Sequence, residues 1–499
     1  MFAFVIWDTK EKTLFGARDR FGIKPFFYHI SKEQFVWASE IKSIKALNLV
    51  NKNVDLFALD YYFAYGYTPR EQTIYTEIKK LEPGCYFTLK ATNLQPELRI
   101  KRYWKISYEP DYTKSESYWK ETLYHTLNES VKLHLISDVP LGAFLSGGID
   151  SSIVVALMAK NSNGPISTFS IGFKEEEYSE LKYARQVANL YATNHHEFIV
   201  EPGSIDILPN LVRLYDEPFA DSSAIPTYYL SKLTRKHVTV ALSGDGGDEL
   251  FAGYSRYAKM LSIYGAFYNQ KVASRLLFGP INKTIPDYVW GKGYTYYLSK
   301  NKSQLAAYFC FWKDYERRKI FNREIQRNIE KNSAENYKKL ILDDAAGGVL
   351  SRMQQLDMKT YMVDDILTKV DRASMANSLE VRIPILDHKF AEISFKIPSS
   401  LKLFENNKKH IFKEAFSSIL PKEIITHKKQ GFAVPLPLWF KGDLKEYAYC
   451  CLAGSNDLDT YLDKKQVLQI VNNHQKGMRD YSAKIWSLLF LNEWIKQNK

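Results

Sequence analysis

Between residues 115 and 245 the sequence keeps to one grammar, and that grammar leaves few folds open. "SYWKETLYHTLNESVKLHL" has helical spacing, "VPLGAFLS" reads as a buried strand, and "SSIVVALMAK" reads as a helix. The strands "ISTFSIGF", "HHEFIV" and "HVTVALSG" follow, separated by the helical stretches "ELKYARQVANLYA", "IDILPNLVRLY" and "SSAIPTYYLSKLTRK". Strands alternating with amphipathic helices predict an α/β domain with a parallel, doubly wound sheet. From about residue 250 onward the spacing is mostly helical, which predicts a helical extension to that sheet.

Open parallel sheets bind ligands beyond the carboxyl ends of their strands, and "FLSGGIDSS" (144–152) falls at such an end. Gly147 and Gly148 let the backbone approach a phosphate with no Cβ in the way. Ser146, Ser151 and Ser152 add hydroxyls, and the start of a helix adds unpaired N–H groups, which makes a phosphate cradle. Asp150 is the odd member, because an anion repels phosphates unless a cation stands between them. Mg²⁺, held by a carboxylate and by phosphate oxygens, removes the conflict. The same letters also suit a plain glycine turn whose Asp and Ser cap a helix. A second seam, "ALSGDGGDELFAGY" (241–254), again follows an apolar strand and carries Ser243, Gly244 and the acids Asp245, Asp248 and Glu249. If both seams face one crevice, Asp150 and Asp248 can share one Mg²⁺; the blander reading is a glycine-rich turn with solvated acids. Neither seam is a Walker A loop or a dinucleotide fingerprint.

The 499 residues exceed one ordinary core. Residues 1–90 read as short strands and turns, "FAFVIWD", "TLFGARD", "PFFYHI", "QFVWAS" and "GCYFTLK", with a short helix at "EIKSIKAL". The polar, proline-bearing stretch "NLQPELRIKRYWKISYEPDY" is the expected linker. The net charge of +12 comes from scattered Lys and Arg, so it does not by itself demand nucleic acid. The four cysteines, Cys85, Cys310, Cys450 and Cys451, form no CxxC, which fits a reducing compartment and argues against a thiolate metal site. No apolar run is long enough for a membrane span, so "IWSLLFLNEWI" is expected to be a packed helix and the protein cytoplasmic. "DEPFADSSAIPT" (216–227), with Glu217 and Asp221, "DDILTKVDRASMANSLEVRIPILDH" (364–388) and "HKKQGFAVPLPLWF" (427–440) are dense in charge. Taken singly, each suits a solvated or salt-bridged face. His195 and His196 fall in a strand and would point to opposite sides of it.

Taken in order, "LSGGIDSS", "FSIGF", "EPFADSSAIPT", "LSGDGGDELFAGY", "DDILTKVDRASMANSLEVRIPILDH" and "KKQGFAVP" resemble the glutamine-dependent asparagine synthetases of the bacterial type. "FAFVIWD" and "ARDRFGIKPFFY" resemble the later part of that family's glutaminase domain. The resemblance implies an ATP-pyrophosphatase domain over 115–499 and a partial αββα (Ntn hydrolase) glutaminase-type domain over 1–105. It implies that the aspartate β-carboxylate attacks the α-phosphorus of Mg-ATP, and that ammonia then displaces AMP to leave asparagine. Leu145, Ser146, Gly147, Gly148, Asp150 and Ser151 are then the pyrophosphate loop. Ile171, Ser243 and Gly244 hold the nucleotide, and Asp150 with Asp248 binds Mg²⁺. Lys429, or Lys428 in a shifted register, contacts the phosphates. Asp245 stands where the family often has a glutamate tied to forming and using the aspartyl-AMP, one methylene shorter here.

The family pattern begins Met-Cys, with that cysteine attacking glutamine, whereas Phe2 follows Met1 here. The expectation is a chain without the first part of the glutaminase domain, using ammonia in place of glutamine; a clipped or truncated chain is preferred to a split enzyme with a separate glutaminase partner or a decayed copy, and the uncovered apolar strands invite association, such as a homodimer. Cys85 cannot substitute, since it lies inside a strand without a free α-amino group. Other acceptors, such as a sugar acid in surface polysaccharide assembly, suit the same ATP chemistry. An RNA-modifying role in the same group lacks its CxxC-type pairs and an RNA-binding appendage, so no nucleic-acid partner is expected.

Overall fold

The computed structural model describes residues 1–90, 97–266, 273–285, 289, 292–300, 302–331, 333–427, 433–454 and 457–499. The first strands are β1 (Ala3–Asp8), β2 (Thr13–Arg18), β3 (Phe27–Ile30), β4 (Phe35–Ala38), β5 (Lys79–Lys80), β6 (Cys85–Lys90) and β7 (Glu97–Arg102). They form two antiparallel sheets, ordered β1-β2-β6-β7 and β4-β3-β5. Leu14, Phe26, Tyr28, Leu81, Phe87 and Leu89 make their shared apolar cluster. Gly16 is required there, because a Cβ would lie 2.3 Å from the Phe87 ring.

One expectation fails here. The stretch read as a linker contains β7, which pairs with β6 from Cys85↔Arg102 to Lys90↔Glu97. Leu98 alternates with charged neighbours and packs on the apolar cluster, but the flanking prolines and the Lys/Arg content mask that alternation in the sequence. β1 is an edge strand with Phe4, Ile6 and Trp7 exposed by 37%, 57% and 50%.

The helix Leu56–Tyr65 is buried nearly all round, which is why no amphipathic period announces it. Asp55 caps it, accepting from the N–H groups of Phe57 and Ala58, and Gly66 ends it at φ 96°. It joins a large core with Trp312, Trp486 and Phe490, and the Tyr62 hydroxyl donates to the Ser487 carbonyl at 2.7 Å. The helix Ser482–Gln497 that carries "IWSLLFLNEWI" is thus a packed element, as its sequence suggests.

The larger sheet comprises β8 (Leu141–Phe144), β9 (Ser167–Phe173), β10 (Asn194–Val200), β11 (Val240–Leu242) and β12 (Glu380–Arg382). All its pairs are parallel, in the order β10-β9-β8-β11-β12. The sheet grows outward from β8 through β9 to β10, then reverses to β11 and β12. Right-handed crossovers therefore place helices on opposite faces of the sheet, and the reversal between β8 and β11 opens a crevice at their carboxyl ends.

A buried charge cluster ties the two parts together. Arg317 donates from Nε to Asp60 Oδ1 at 2.7 Å, from Nη2 to Glu335 Oε2 at 2.8 Å and from Nη1 to the Trp312 carbonyl at 2.7 Å. Arg317→Ala leaves two buried carboxylates uncompensated and is expected to cost about 3–5 kcal/mol, measured by chemical denaturation.

Candidate functional site

Both glycine seams leave the reversal point of the sheet, and their backbones touch. A Cβ on Gly244 would lie 2.5 Å from the Ser151 backbone N, and one on Gly247 would lie 2.3 Å from Asp150 Oδ1. Gly147 adopts φ +80°, and a Cβ there would meet the Ala184 backbone N at 2.6 Å. These glycines are what let the second seam lie against the start of the helix Ile149–Asn161 that follows the first.

Inside the first seam, the Ser146 and Ser151 hydroxyls lie 3.0 Å apart, and Ser151 Oγ donates to the Gly148 carbonyl at 3.2 Å. The Leu145 N–H donates to the Phe169 carbonyl at 2.8 Å, and its own carbonyl accepts from Ser170 Oγ, which pins the seam to β9. In the second seam Ser243 Oγ donates to Asp245 Oδ2 at 2.7 Å. The seams enclose a cavity of about 470 Å³, whose lining includes Leu145, Ser146, Asp150, Ser151, Ile171, Ser243, Gly244, Asp245 and Asp248. Gly147 and Gly148 are not among the lining residues. Lys429 and Lys428 lie outside the described residues.

The acids of the two seams converge on one cation. Lys409 Nζ stands 2.6 Å from Asp150 Oδ2 and 2.7 Å from Asp248 Oδ1. Lys409 is 4% exposed and holds a left-handed backbone at φ 57°. Two carboxylates from separate seams facing one cation position suit Mg²⁺, a hard ion that takes its remaining ligands from phosphate and water. Among the described residues no group of three or more His, Cys, Asp or Glu is disposed to hold an ion alone.

A second charge group closes the far wall. Lys369 Nζ donates to Asp221 Oδ2 and to Ser223 Oγ, both at 2.8 Å. Burial works to raise the Asp221 carboxyl, but the Lys369 ammonium outweighs it and holds the group at about 2. Asp365, beside Asp221, is driven well above the usual carboxylate range, first by burial and then by the Asp221 charge. Glu249 also lines the cavity and accepts from the Tyr254 hydroxyl at 2.5 Å. Burial, then the neighbouring Asp248, pushes it up to about 7.

Sequence reasoning does not single out Lys409, Lys369, Tyr254 or Tyr361, all of which contact or line the site. "NNKKHIFKEAF" offers only paired lysines before a helix, and nothing local marks which one is turned inward. Glu217, by contrast, serves the junction between the two parts: Lys80 Nζ lies 3.1 Å from it, and its Oε2 accepts from the Ile74 N–H at 2.8 Å.

Comparison with known proteins follows the same division. The asparagine synthase family matches residues 122–496, and the glutamine amidotransferase domain matches residues 1–104. Asparagine synthetase [glutamine-hydrolyzing] 1 of Bacillus subtilis (strain 168) is 34% identical over 508 residues, covering 100% of this chain and 77% of that protein. A putative asparagine synthetase [glutamine-hydrolyzing] of Mycobacterium tuberculosis (strain ATCC 25618 / H37Rv) is 32% identical, covering 99% and 76%. Amidase chry2 of Gibberella zeae is 25% identical, covering 89% and 70%. The solved NMN synthetase of Francisella tularensis matches with a TM-score of 0.21 at 17% identity, over 28% of this chain and 59% of that one, a likeness too distant to carry an argument.

Two outcomes test the geometry. Gly244→Ala drives a methyl group into the Ser151 backbone and is expected to weaken ATP binding roughly tenfold or more in a folded protein, measured by titration calorimetry. Native Glu249 keeps a proton that the unfolded chain has released between pH 4.5 and about 7, so this group costs stability as pH rises through that window and no further above it. Glu249→Gln removes the cost. Relative to the parent, its unfolding free energy is expected to rise by about 3 kcal/mol between pH 4 and 8, measured by urea denaturation without nucleotide.

Proposed function

Because the chain belongs to the asparagine synthase family, a family of ATP-dependent carbon–nitrogen ligases, we propose that it makes asparagine from aspartate through a β-aspartyl-adenylate. A carboxylate is a poor electrophile, and attack of its oxygen on the α-phosphorus of ATP expels pyrophosphate and leaves AMP as a leaving group. Ammonia then attacks the acyl carbon, AMP departs, and a proton is lost from nitrogen. The observation that carries this reading is the meeting of the two seams: Gly244 against Ser151, with Asp150 and Asp248 on one cation position beside a nucleotide-sized cavity.

In this reading the N–H groups and hydroxyls of Ser146, Gly147, Gly148 and Ser151 bind the phosphates. Leu145, Ile171, Ser243 and Gly244 hold the nucleoside, and Lys429 steadies the phosphates. Asp150 and Asp248 hold Mg²⁺, which supplies positive charge to the phosphate oxygens when it is bound. Asp245, fixed by the Ser243 hydroxyl at 2.7 Å, is positioned to orient the incoming amine. Ammonia is the nitrogen donor at this site, and glutamine is its source where a complete glutaminase accompanies it.

The test supplies the purified chain with ATP, Mg²⁺ and ammonium and offers a panel of acids. Aspartate is expected to release pyrophosphate and AMP one for one with asparagine. Pyrophosphate release with a sugar acid, and none with aspartate, overturns the choice of acceptor. Asp150→Asn is expected to lower the rate at least 100-fold while leaving the thermal unfolding of the nucleotide-free protein within a few degrees.

A further inference from the structure

Charge is unevenly spread along this chain. Residues 251–360 carry 19 Lys and Arg against nine Asp and Glu, a balance of +10 out of the whole chain's +12. Within them, 271–302 holds six Lys and Arg against Asp287 alone. The nucleotide cavity makes no use of this stretch, since none of residues 256–360 lines it.

The basic stretch contains the helix Ala273–Thr284 and the shorter helix Lys292–Leu298. The first packs chiefly on the second, which is fixed to the body through the buried rings of Tyr296 and Tyr297. Asn282 ties the two helices together. Its amide donates to the Lys292 carbonyl at 2.9 Å and to Thr295 Oγ1 at 2.8 Å. Lys292 is turned inward and donates to the Ile285 carbonyl. With these polar groups inside, apolar ones are left outside. Leu277 and Ile281, one helical turn apart, are 61% and 36% exposed, and Val289 beyond the helix is 41% exposed. A Cβ on Gly279 would meet nothing within 4 Å, so no described residue covers that part of the helix.

Single exposed apolar side chains are ordinary on any protein surface. Three on one outlying element, within the most basic part of the chain, point to a partner that is both anionic and apolar. A single-stranded nucleic acid matches the charge, but it binds by stacking on exposed rings, and Tyr296, Tyr297 and Tyr308 are buried here. A second copy of the chain would set like charge against like charge. An anionic bilayer matches both properties, with phosphate headgroups for Lys and Arg and the acyl boundary for the apolar side chains. The helix has 12 residues and spans about 18 Å, short of the roughly 30 Å hydrocarbon core, so it would lie along the surface rather than cross it.

We propose that the helix Ala273–Thr284 is a membrane-surface anchor for anionic phospholipid. Leu277, Ile281 and Val289 enter the boundary between headgroups and acyl chains, and the basic residues of 271–302 hold the chain to the headgroup charge. The anchor is independent of which acid the enzyme activates.

The experiment mixes the purified full chain with vesicles of phosphatidylcholine alone, or of phosphatidylcholine with about one third phosphatidylglycerol, and separates bound from unbound protein by flotation at low and high salt. Binding to the anionic vesicles is expected to be at least tenfold tighter than to the neutral ones and to weaken at high salt. Leu277→Glu combined with Ile281→Glu is expected to weaken it at least tenfold further, while the affinity for ATP in free solution stays within twofold of the parent. Should the double variant fail to fold, Leu277→Ser alone, at the more exposed position, is expected to weaken vesicle binding threefold or more. Equal binding to the two kinds of vesicle, or parent-like binding by the variants, overturns the proposal. So does capture of single-stranded RNA, or a dimer that the variants dissolve, if the anionic vesicles are ignored at the same salt.

Discussion

The contact between Gly244 and the Ser151 backbone is the constraint on which the site depends. It exists because β8 and β11 are neighbours in space, although two strands and their helices separate them in sequence. Reversal of strand order brings the two carboxyl ends together, and glycine lets the loops that leave them close without a side chain between. The convergence of Asp150 and Asp248 on Lys409 follows from that closure, since each acid sits within a few residues of the touching backbone.

Closure also concentrates charge. Asp150, Asp248, Asp221 and Asp365 are all largely buried in a small volume, and carboxylates so placed repel one another. Lys409 and Lys369 offset part of the repulsion through direct ion pairs, and burial together with the Asp221 charge drives the Asp365 carboxyl well above the usual range. The left-handed backbone at Lys409 is uncommon for a side-chain-bearing residue, and it occurs at the residue whose ammonium pairs with both acids.

Much of this is legible in the letters. The alternation from 115 to 245 predicts the parallel sheet, and the repeated strand-then-Ser-Gly pattern marks both seams. What escapes is whatever depends on distance along the chain. Lys409 reaches Asp150 across 259 positions, and no local pattern encodes that pairing. The helix Leu56–Tyr65 hides because it is apolar on all sides, and β7 hides because its outward face is almost wholly Lys, Arg and Glu. Asp221 and Asp365 are visible as charges in dense stretches, but only the fold tells them from the salt-bridged faces they resemble.

The core that unites Tyr62 and Phe63 with Trp486 and Phe490 has a temporal consequence. The Tyr62 hydroxyl and the Ser487 carbonyl are partners across 425 positions. At 5–20 residues per second, translation takes roughly 20–85 seconds to bridge that gap. Trp312 and Phe321 reach Phe63 earlier, but the part of the early aromatic helix that packs on the last helix waits out the whole interval. Completion of this core thus waits on synthesis of the last helix, so the early and last parts of the polypeptide are joined only at the end of its making.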